Sequence, residues 1–276
     1  MGNAPGSPLA CGCGQDLDDA TNDLLQHFKC KNIKDAKPSP LPQLVTGRVC
    51  PASHNLKSPV TGRSVVYYFL DVQQQEEEQQ KDQGGRWKPA FQEAGTTDFV
   101  LADPLYPDDC VAVISKSDPR NVRMYSTLEG KYLSADDAWT VSNLKGAPGL
   151  KEAAARQHFD VGGTGLFSFA SSSGGAKTLR HFEATFEVNM QVAVLGVITS
   201  RAGPDGASMM FLKPCTVDTL TDDYFNQYGW AEHARSAWRA IFEKGPAVCV
   251  TDDPEHFGGV VVEAFDDSDL PSVISV

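Results

Sequence analysis

Short apolar runs separated by turn residues fill this 276-residue chain from Leu44 onward, and they constrain its fold more than any other feature. Runs of this length are typical of strands rather than helices. Asp98 to Asp103 alternates polar and apolar residues, which places Phe99 and Leu101 on one face of a strand. Gln191 to Thr199 is the run that most resembles a buried strand. The pattern therefore predicts a fold built mainly from antiparallel strands.

Three segments have helical periodicity instead. Asp16 to Phe28 and Pro148 to Arg156 predict short helices, and Thr221 to Phe242 predicts the longest one, with apolar residues at three- and four-residue steps. An acidic cap precedes this last helix, and Gly245 and Pro246 end it. Together these elements predict an α+β fold of mostly antiparallel strands, partly barrel-like, with a long C-terminal helix.

Breaks in these patterns predict the domain organisation. Three prolines between 37 and 42 form a stiff linker that no helix can cross. We therefore expect a leader with a short helix over 1–42, a β-rich domain over 43–246 and an acidic tail over 247–276. Within the central domain, 73–85 contains no apolar residue and is predicted to be a hairpin tip or a flap.

The charge distribution narrows the range of partners. The chain has 36 acidic and 24 basic residues, for a net charge of -12, and it has no Lys or Arg after Lys244. Nucleic-acid binding needs clustered cations opposite the phosphates. We therefore expect no nucleic-acid partner.

The N-terminus carries a candidate lipidation signal. Gly2 follows the initiator methionine in a context that predicts N-myristoylation, although Gly6 occupies the position where Ser or Thr is preferred. Cys11 and Cys13 are candidates for palmitoylation. A single myristoyl chain binds membranes only marginally, so one of these cysteines or the four lysines between 29 and 37 would supply the second signal. The alternative is an unmodified leader.

Membrane association at the cytosolic face would depend on these acyl groups. No run reaches the roughly 20 apolar residues of a spanning helix, and no secretory signal is present. The seven scattered cysteines favour reduced thiols over a disulfide framework. The sequence therefore predicts a protein anchored to a membrane of unspecified organelle.

Several short motifs follow one another in a fixed order from Thr46 onward. They are Gly47-Arg48-Val49, the turn Leu56 to Arg63 with Ser58, Pro59 and Gly62, the run Val66-Tyr67-Tyr68, Trp87, the alternating Phe99, Leu101 and Asp103, and the run Val194 to Val197 with Gly196. In order and spacing they resemble the GIDE-type domain, which accompanies E3 ubiquitin ligases of mitochondrial membranes. The resemblance implies that these residues are structural positions of that domain.

The chain departs from the ligases of that family in two ways. Their RING finger holds two zinc ions with paired Cys and His ligands, whereas this chain contains no C-x-x-C pair. Their transmembrane helices also have no counterpart here. The resemblance therefore implies the non-catalytic domain alone, with no metal or other cofactor and no ubiquitin transfer of its own.

Two His–carboxylate pairs are the remaining candidates for chemistry. His158 and Asp160, and likewise His181 and Glu183, are two residues apart, so each pair shares a face if its segment is a strand. Such a pair suits acid/base catalysis or metal binding. The alternative interpretation, a surface pair, is the one we favour.

Three functional hypotheses remain. The first is a membrane-associated GIDE-type interaction module, non-catalytic on its own, with the flap or the acidic tail in contact with protein partners. The second is a component of ubiquitin-protein transferase activity that recruits substrate for a RING on another chain. The third is an enzyme that uses one of the His–carboxylate pairs.

Overall fold

The described part of the chain starts with a helix and continues mainly as strands. The computed structural model describes residues 15–52, 54–75, 87–105, 110–116, 118–125, 140–142, 148–159, 179–202 and 208–265. Their α-helices are α1 (Gln15–Gln26), α2 (Pro148–Arg156), α3 (Asp222–Gln227) and α4 (Glu232–Phe242). Their strands are β1 (Lys31–Asn32), β2 (Pro42–Pro51), β3 (Leu56–Lys57), β4 (Ser64–Gln75), β5 (Trp87–Thr96), β6 (Phe99–Ala102), β7 (Cys110–Val113), β8 (Val122–Tyr125), β9 (Thr140–Ser142), β10 (Leu179–Glu187), β11 (Gln191–Ala202), β12 (Ser208–Lys213) and β13 (Val248–Thr251).

Five strands of the larger sheet curl into a barrel. The pairs β2–β6, β6–β7 and β11–β12 are antiparallel, whereas β7 and β12 run parallel. β11 then pairs back onto β2, from Gln191 opposite Arg48 to Val197 opposite Pro42. Because β11 pairs with β2, the five strands β2-β6-β7-β12-β11 close on themselves, as a barrel requires. The predictions of a strand-rich fold and of a partly barrel-like sheet are both confirmed.

A second sheet lies beside the barrel. It has the order β3-β4-β10-β9, and β5 pairs with β4. One face of this sheet, with Tyr67, Phe69 and Phe186, belongs to the same buried cluster as barrel residues such as Val49 and Val111. Residues on the opposite face pack against α2. The second sheet is therefore a layer between the barrel and a helix.

The other helices cover a different side of the barrel. Leu24 and Leu25 of α1 and Trp238 of α4 are fully buried together with Ala193 and Leu195 of β11. A helix of 12 residues is marginally stable alone. Burying each leucine contributes about 1.5–3 kcal/mol, so this packing is what stabilises α1.

The prediction of one long C-terminal helix is wrong. The segment from Thr221 to Phe242 forms two short helices, α3 and α4, separated at Gly229. Gly229 adopts a φ of +65°, which turns the chain out of the first helix. The apolar periodicity continues across this break because both helices bury one face in the same cluster. The predicted end of the helical segment is confirmed, since α4 stops three residues before Gly245.

Both segments that flank 43–246 contribute strands to the larger sheet. β1 pairs in parallel with β2 at Val45 and Thr46, and β13 pairs with β11 and β8. The chain after β13 ends its described part at Phe265, where the Asn189 side chain bonds both backbone groups of that residue. Asn189 acts here as the partner that a neighbouring strand would otherwise supply.

The predicted flap at 73–85 falls partly outside the described residues. Its first three residues complete β4, and Gln75 lies opposite Trp87 at the start of β5. The two strands therefore form a hairpin whose connection, 76–86, lies outside the described residues.

Candidate functional site

The residues that carry the GIDE resemblance lie in both layers of the fold. Gly47, Phe99, Leu101 and Gly196 belong to barrel strands, and Asp103 directly follows β6. Ser58, Pro59, Gly62, Tyr68 and Trp87 belong to the second sheet or to its turns. These residues lie in four environments: the barrel wall, the ends of two strands, a turn and a polar network.

In the barrel wall, two glycines allow close strand contacts. A methyl group on Gly196 would collide with the Leu212 side chain and approach the Lys213 carbonyl oxygen to 2.7 Å. The same change at Gly47 would bring a carbon to 2.6 Å from Ile33 Cδ1. At Gly196 a backbone oxygen lies in the way of a Cβ, whereas at Gly47 the Ile33 side chain would have to shift to make room.

Asp103 and Trp87 each stabilise the end of a strand. The Asp103 carboxylate is buried and accepts a hydrogen bond of 2.9 Å from the Leu105 backbone N–H, which starts the turn after β6. The Trp87 ring is covered by the Arg180 guanidinium, with Cζ 4.7 Å from the ring centroid. These contacts give Asp103 and Trp87 structural roles.

The turn Ser58 to Gly62 is held by a carboxylate from β10. Glu183 Oε1 accepts from the Val60 N–H at 2.8 Å, and Oε2 accepts from the Thr61 N–H at 3.3 Å and from Ser58 Oγ at 3.2 Å. Pro59 is buried, and its carbonyl packs directly against Gly149 of α2. Gly62 completes the turn with a φ of +69°.

Tyr68 belongs to a second polar network on the same face of the sheet. Its hydroxyl donates to Glu93 Oε1 at 2.7 Å, and Arg156 of α2 reaches the same carboxylate with Nη2 at 2.8 Å. The Glu93 side chain is 8% exposed, whereas that of Arg156 is 50% exposed. Burial, reinforced by the bond to Glu93, raises the pKa of Tyr68 and keeps its hydroxyl protonated at neutral pH.

Glu93 and Arg156 carry no sequence signal that identifies them. They are 63 positions apart, and the fold joins them only because β5 and α2 both pack on β4. Cross-strand register places Glu93 opposite Leu70, which in turn lies opposite Glu183. The carboxylates of Glu93 and Glu183 therefore lie in one row across three strands. Each accepts hydrogen bonds from residues outside that row.

The two His–carboxylate pairs have different outcomes. His181 and Glu183 lie on β10 and share a face, as their spacing predicts. His181 is buried, and this desolvation lowers its pKa despite the opposing effect of Glu183. Because Glu183 already accepts three hydrogen bonds from the turn, its observed role is to hold that turn. His158 follows α2 and is exposed, and Asp160 lies outside the described residues.

The buried cysteines pack as small apolar residues. Burial raises the pKa of the Cys249 thiol to about 12, and it raises the pKa of Cys215 in the same cluster. The candidate lipidation residues Gly2, Cys11 and Cys13 lie outside the described residues.

The described residues contain neither a candidate metal site nor a candidate membrane-spanning helix. They contain no group of three or more His, Cys, Asp or Glu side chains arranged to hold a metal ion. Within the same ranges, no helix has the length and apolar character needed to cross a membrane.

A cationic pocket is the feature that sequence reasoning missed. It has a volume of about 480 Å³ and opens on the outer face of the β11–β12 hairpin, beside the end of β7. Its lining includes three cationic and three apolar residues: Lys116, Arg201, Lys213, Ile114, Phe211 and Pro214. Arg201 and Lys213 come from the two strands of one hairpin, and Lys116 comes from the distant segment after β7, so no local cluster signals them.

The fold and these sites define a β-barrel protein with a helix-backed second sheet and a cationic surface pocket. No known protein family, curated protein or solved structure matches the chain.

Proposed function

We propose that this chain is a GIDE-type interaction module that associates with the cytosolic face of a membrane through N-terminal acylation. The main support for an interaction module is where the motif residues lie in the fold. Gly47 and Gly196 fit close contacts in the barrel wall, and the Ser58 to Gly62 turn is bonded to Glu183. Motif residues with structural roles of this kind support a domain framework without catalytic residues of its own, whose function would depend on its surface.

The surface next to the leader supports the membrane part. The chain leaves α1 into the segment that contains Lys29, Lys34 and Lys37, and all three side chains are exposed. Lys31, the fourth lysine of this segment, is half-buried and donates to Gln43 Oε1 at 2.8 Å. Cations near an anionic membrane surface contribute about 1 kcal/mol each, which complements a marginal myristoyl anchor. The acyl groups on Gly2 and on Cys11 or Cys13 would then enter the bilayer beside this basic segment.

The test of acylation compares two glycine substitutions in the leader. Gly2→Ala removes the only acceptor for myristate, whereas Gly14→Ala changes a glycine outside the signal. In a eukaryotic cell, we expect the wild type and Gly14→Ala to fractionate with membranes and Gly2→Ala to become soluble. The intact mass of the purified wild type should include a myristoyl group. An unmodified mass, or equal fractionation of all three proteins, would refute the proposal.

The interaction-module assignment also has a biochemical consequence. Because the chain lacks the paired zinc ligands of a RING, we expect it to form no ubiquitin conjugates when mixed with only activating and conjugating enzymes. Formation of conjugates under these conditions would show that the chain transfers ubiquitin itself. Formation only after addition of a separate RING protein would support substrate recruitment, the related function in the same family.

A further inference from the structure

The cationic pocket concentrates positive charge in a strongly acidic protein. The chain has a net charge of -12, yet Lys116, Arg201 and Lys213 line one cavity, and no carboxylate is among the described residues that line it. Three cations in one concave site raise the local concentration of anions and stabilise a ligand with more than one negative charge. An anionic ligand is therefore the chemistry that this site fits.

The aromatic ring of Phe211 lines the same pocket, beside one of the three cations. Phe211 lies on the outer face of β12, two residues before Lys213, and opposite Thr199 of β11. Arg201 is two residues further along β11, and its Cζ lies 5.7 Å from the Phe211 ring centroid. A guanidinium in this position presents its planar set of N–H donors beside an apolar surface.

Lys116, the third cation, has a backbone held by hydrogen bonds to Asp98. Asp98 Oδ1 accepts hydrogen bonds from the Ser115 N–H at 2.7 Å, from Ser115 Oγ at 2.9 Å and from the Lys116 N–H at 2.8 Å. Lys116 adopts a φ of +58°, which non-glycine residues seldom do. Asn121 also bonds the Ser115 carbonyl at 2.9 Å. The backbone of Ser115 and Lys116 is therefore held before any ligand arrives, which reduces the entropic cost of binding.

The size and lining of the pocket define the ligand further. About 480 Å³ lies within the range of small-molecule sites and is larger than an inorganic anion requires. Ile114, Phe211 and Pro214 provide an apolar wall for the remaining volume. We infer that this pocket binds a small organic phosphate, with the phosphate group on Arg201, Lys116 and Lys213 and a planar or apolar group against Phe211.

The experiment uses the full chain produced in bacteria, where no myristate is added, so its result is independent of the acylation proposal. Phenyl phosphate, inorganic phosphate and phenol are titrated separately by calorimetry. We expect phenyl phosphate to bind about tenfold more tightly than either fragment, since it alone uses both the cations and the apolar wall. Absence of phenyl phosphate binding at millimolar concentrations would overturn the inference.

Matched charge removals identify the site. Arg201→Gln and Lys213→Gln each remove one pocket cation, and Lys151→Gln removes one exposed cation from α2, outside the pocket lining. We expect each pocket variant to lose about tenfold in affinity for phenyl phosphate and the control to lose none. Circular dichroism checks that all three remain folded. Equal affinities for the pocket variants and the control would overturn the assignment.

A phosphate monoester can belong to a soluble metabolite or to a lipid headgroup. Phosphatidylcholine vesicles with and without phosphatidic acid distinguish these sources in a sedimentation assay with the same unacylated protein. Sedimentation with phosphatidic acid that Arg201→Gln abolishes assigns the pocket to a headgroup. Phenyl phosphate binding without such sedimentation assigns it to a soluble organic phosphate.

Discussion

The bond between Glu183 and the Ser58 to Gly62 turn provides the most direct test of the second sheet. Glu183→Ala removes the acceptor of three hydrogen bonds, two of them from the backbone N–H groups of Val60 and Thr61. The same strand contains a control, Glu187, whose carboxylate pairs with Arg63 at 2.6 Å. Both carboxylates are on β10, so each substitution removes a glutamate side chain from the same strand.

The expected magnitudes differ because the two environments differ. A hydrogen bond to a charged group contributes about 1.5–3 kcal/mol. Glu183 is half-buried, so water replaces part of what is lost, and we expect Glu183→Ala to lower the free energy of unfolding by about 2–3 kcal/mol. The Glu187–Arg63 pair has side chains that are 36% and 64% exposed. Such a surface pair contributes about 0–1 kcal/mol, so Glu187→Ala should change stability little.

Urea unfolding followed by tryptophan fluorescence measures both variants. Hydrogen exchange of the peptide that contains Val60 and Thr61 adds a local measurement, because these amides lose their acceptor only in Glu183→Ala. We expect a clearly lower midpoint and faster exchange for Glu183→Ala, with Glu187→Ala close to wild type. Equal midpoints and unchanged exchange would refute the conclusion that Glu183 holds the turn.

Three further predictions concern the barrel, pH and thiols. Gly196→Ala should lower the free energy of unfolding by about 1–3 kcal/mol, because the added carbon collides with Leu212; an unchanged thermal midpoint would contradict this packing. Burial lowers the pKa values of His181 and His256 from 6.5, so the unfolded chain binds protons first as pH falls. The stability from these neutral side chains is therefore complete above pH 6.5 and decreases below it, and a rise in urea midpoint on acidification would contradict this sign. Cys249, with a pKa of about 12, should react with a thiol reagent only after unfolding; rapid labelling of the native chain at this residue would show that it is accessible.

Local patterns predicted the elements better than their connections. The helices at α1 and α2 and the strand β6 agree with their periodicity and turn chemistry. The single C-terminal helix was predicted wrongly because periodicity reports which residues face a core, and both α3 and α4 face the same one. A glycine in a helical pattern signals only a weakness, and the surrounding packing decides whether the chain turns there.

For the candidate sites too, local patterns identified single residues but not the contacts between them. The sequence alone identified Ser58, Tyr68 and Glu183 as residues of interest, since motifs and spacing are local information. It did not connect Tyr68 with Glu93 and Arg156. That network requires β5 and α2 to meet on β4, which depends on contacts between residues far apart in the chain.

By itself, the sequence determined that this chain forms mainly strands and carries a net charge of -12, because both depend on composition or on neighbouring residues. The tertiary structure decided that β11 returns to β2 to complete a barrel and that Lys116 joins Arg201 and Lys213 of the β11–β12 hairpin in one pocket on its outer face. Both outcomes depend on strand order and register. These are settled by which apolar faces are buried together, and no short stretch of sequence contains that information.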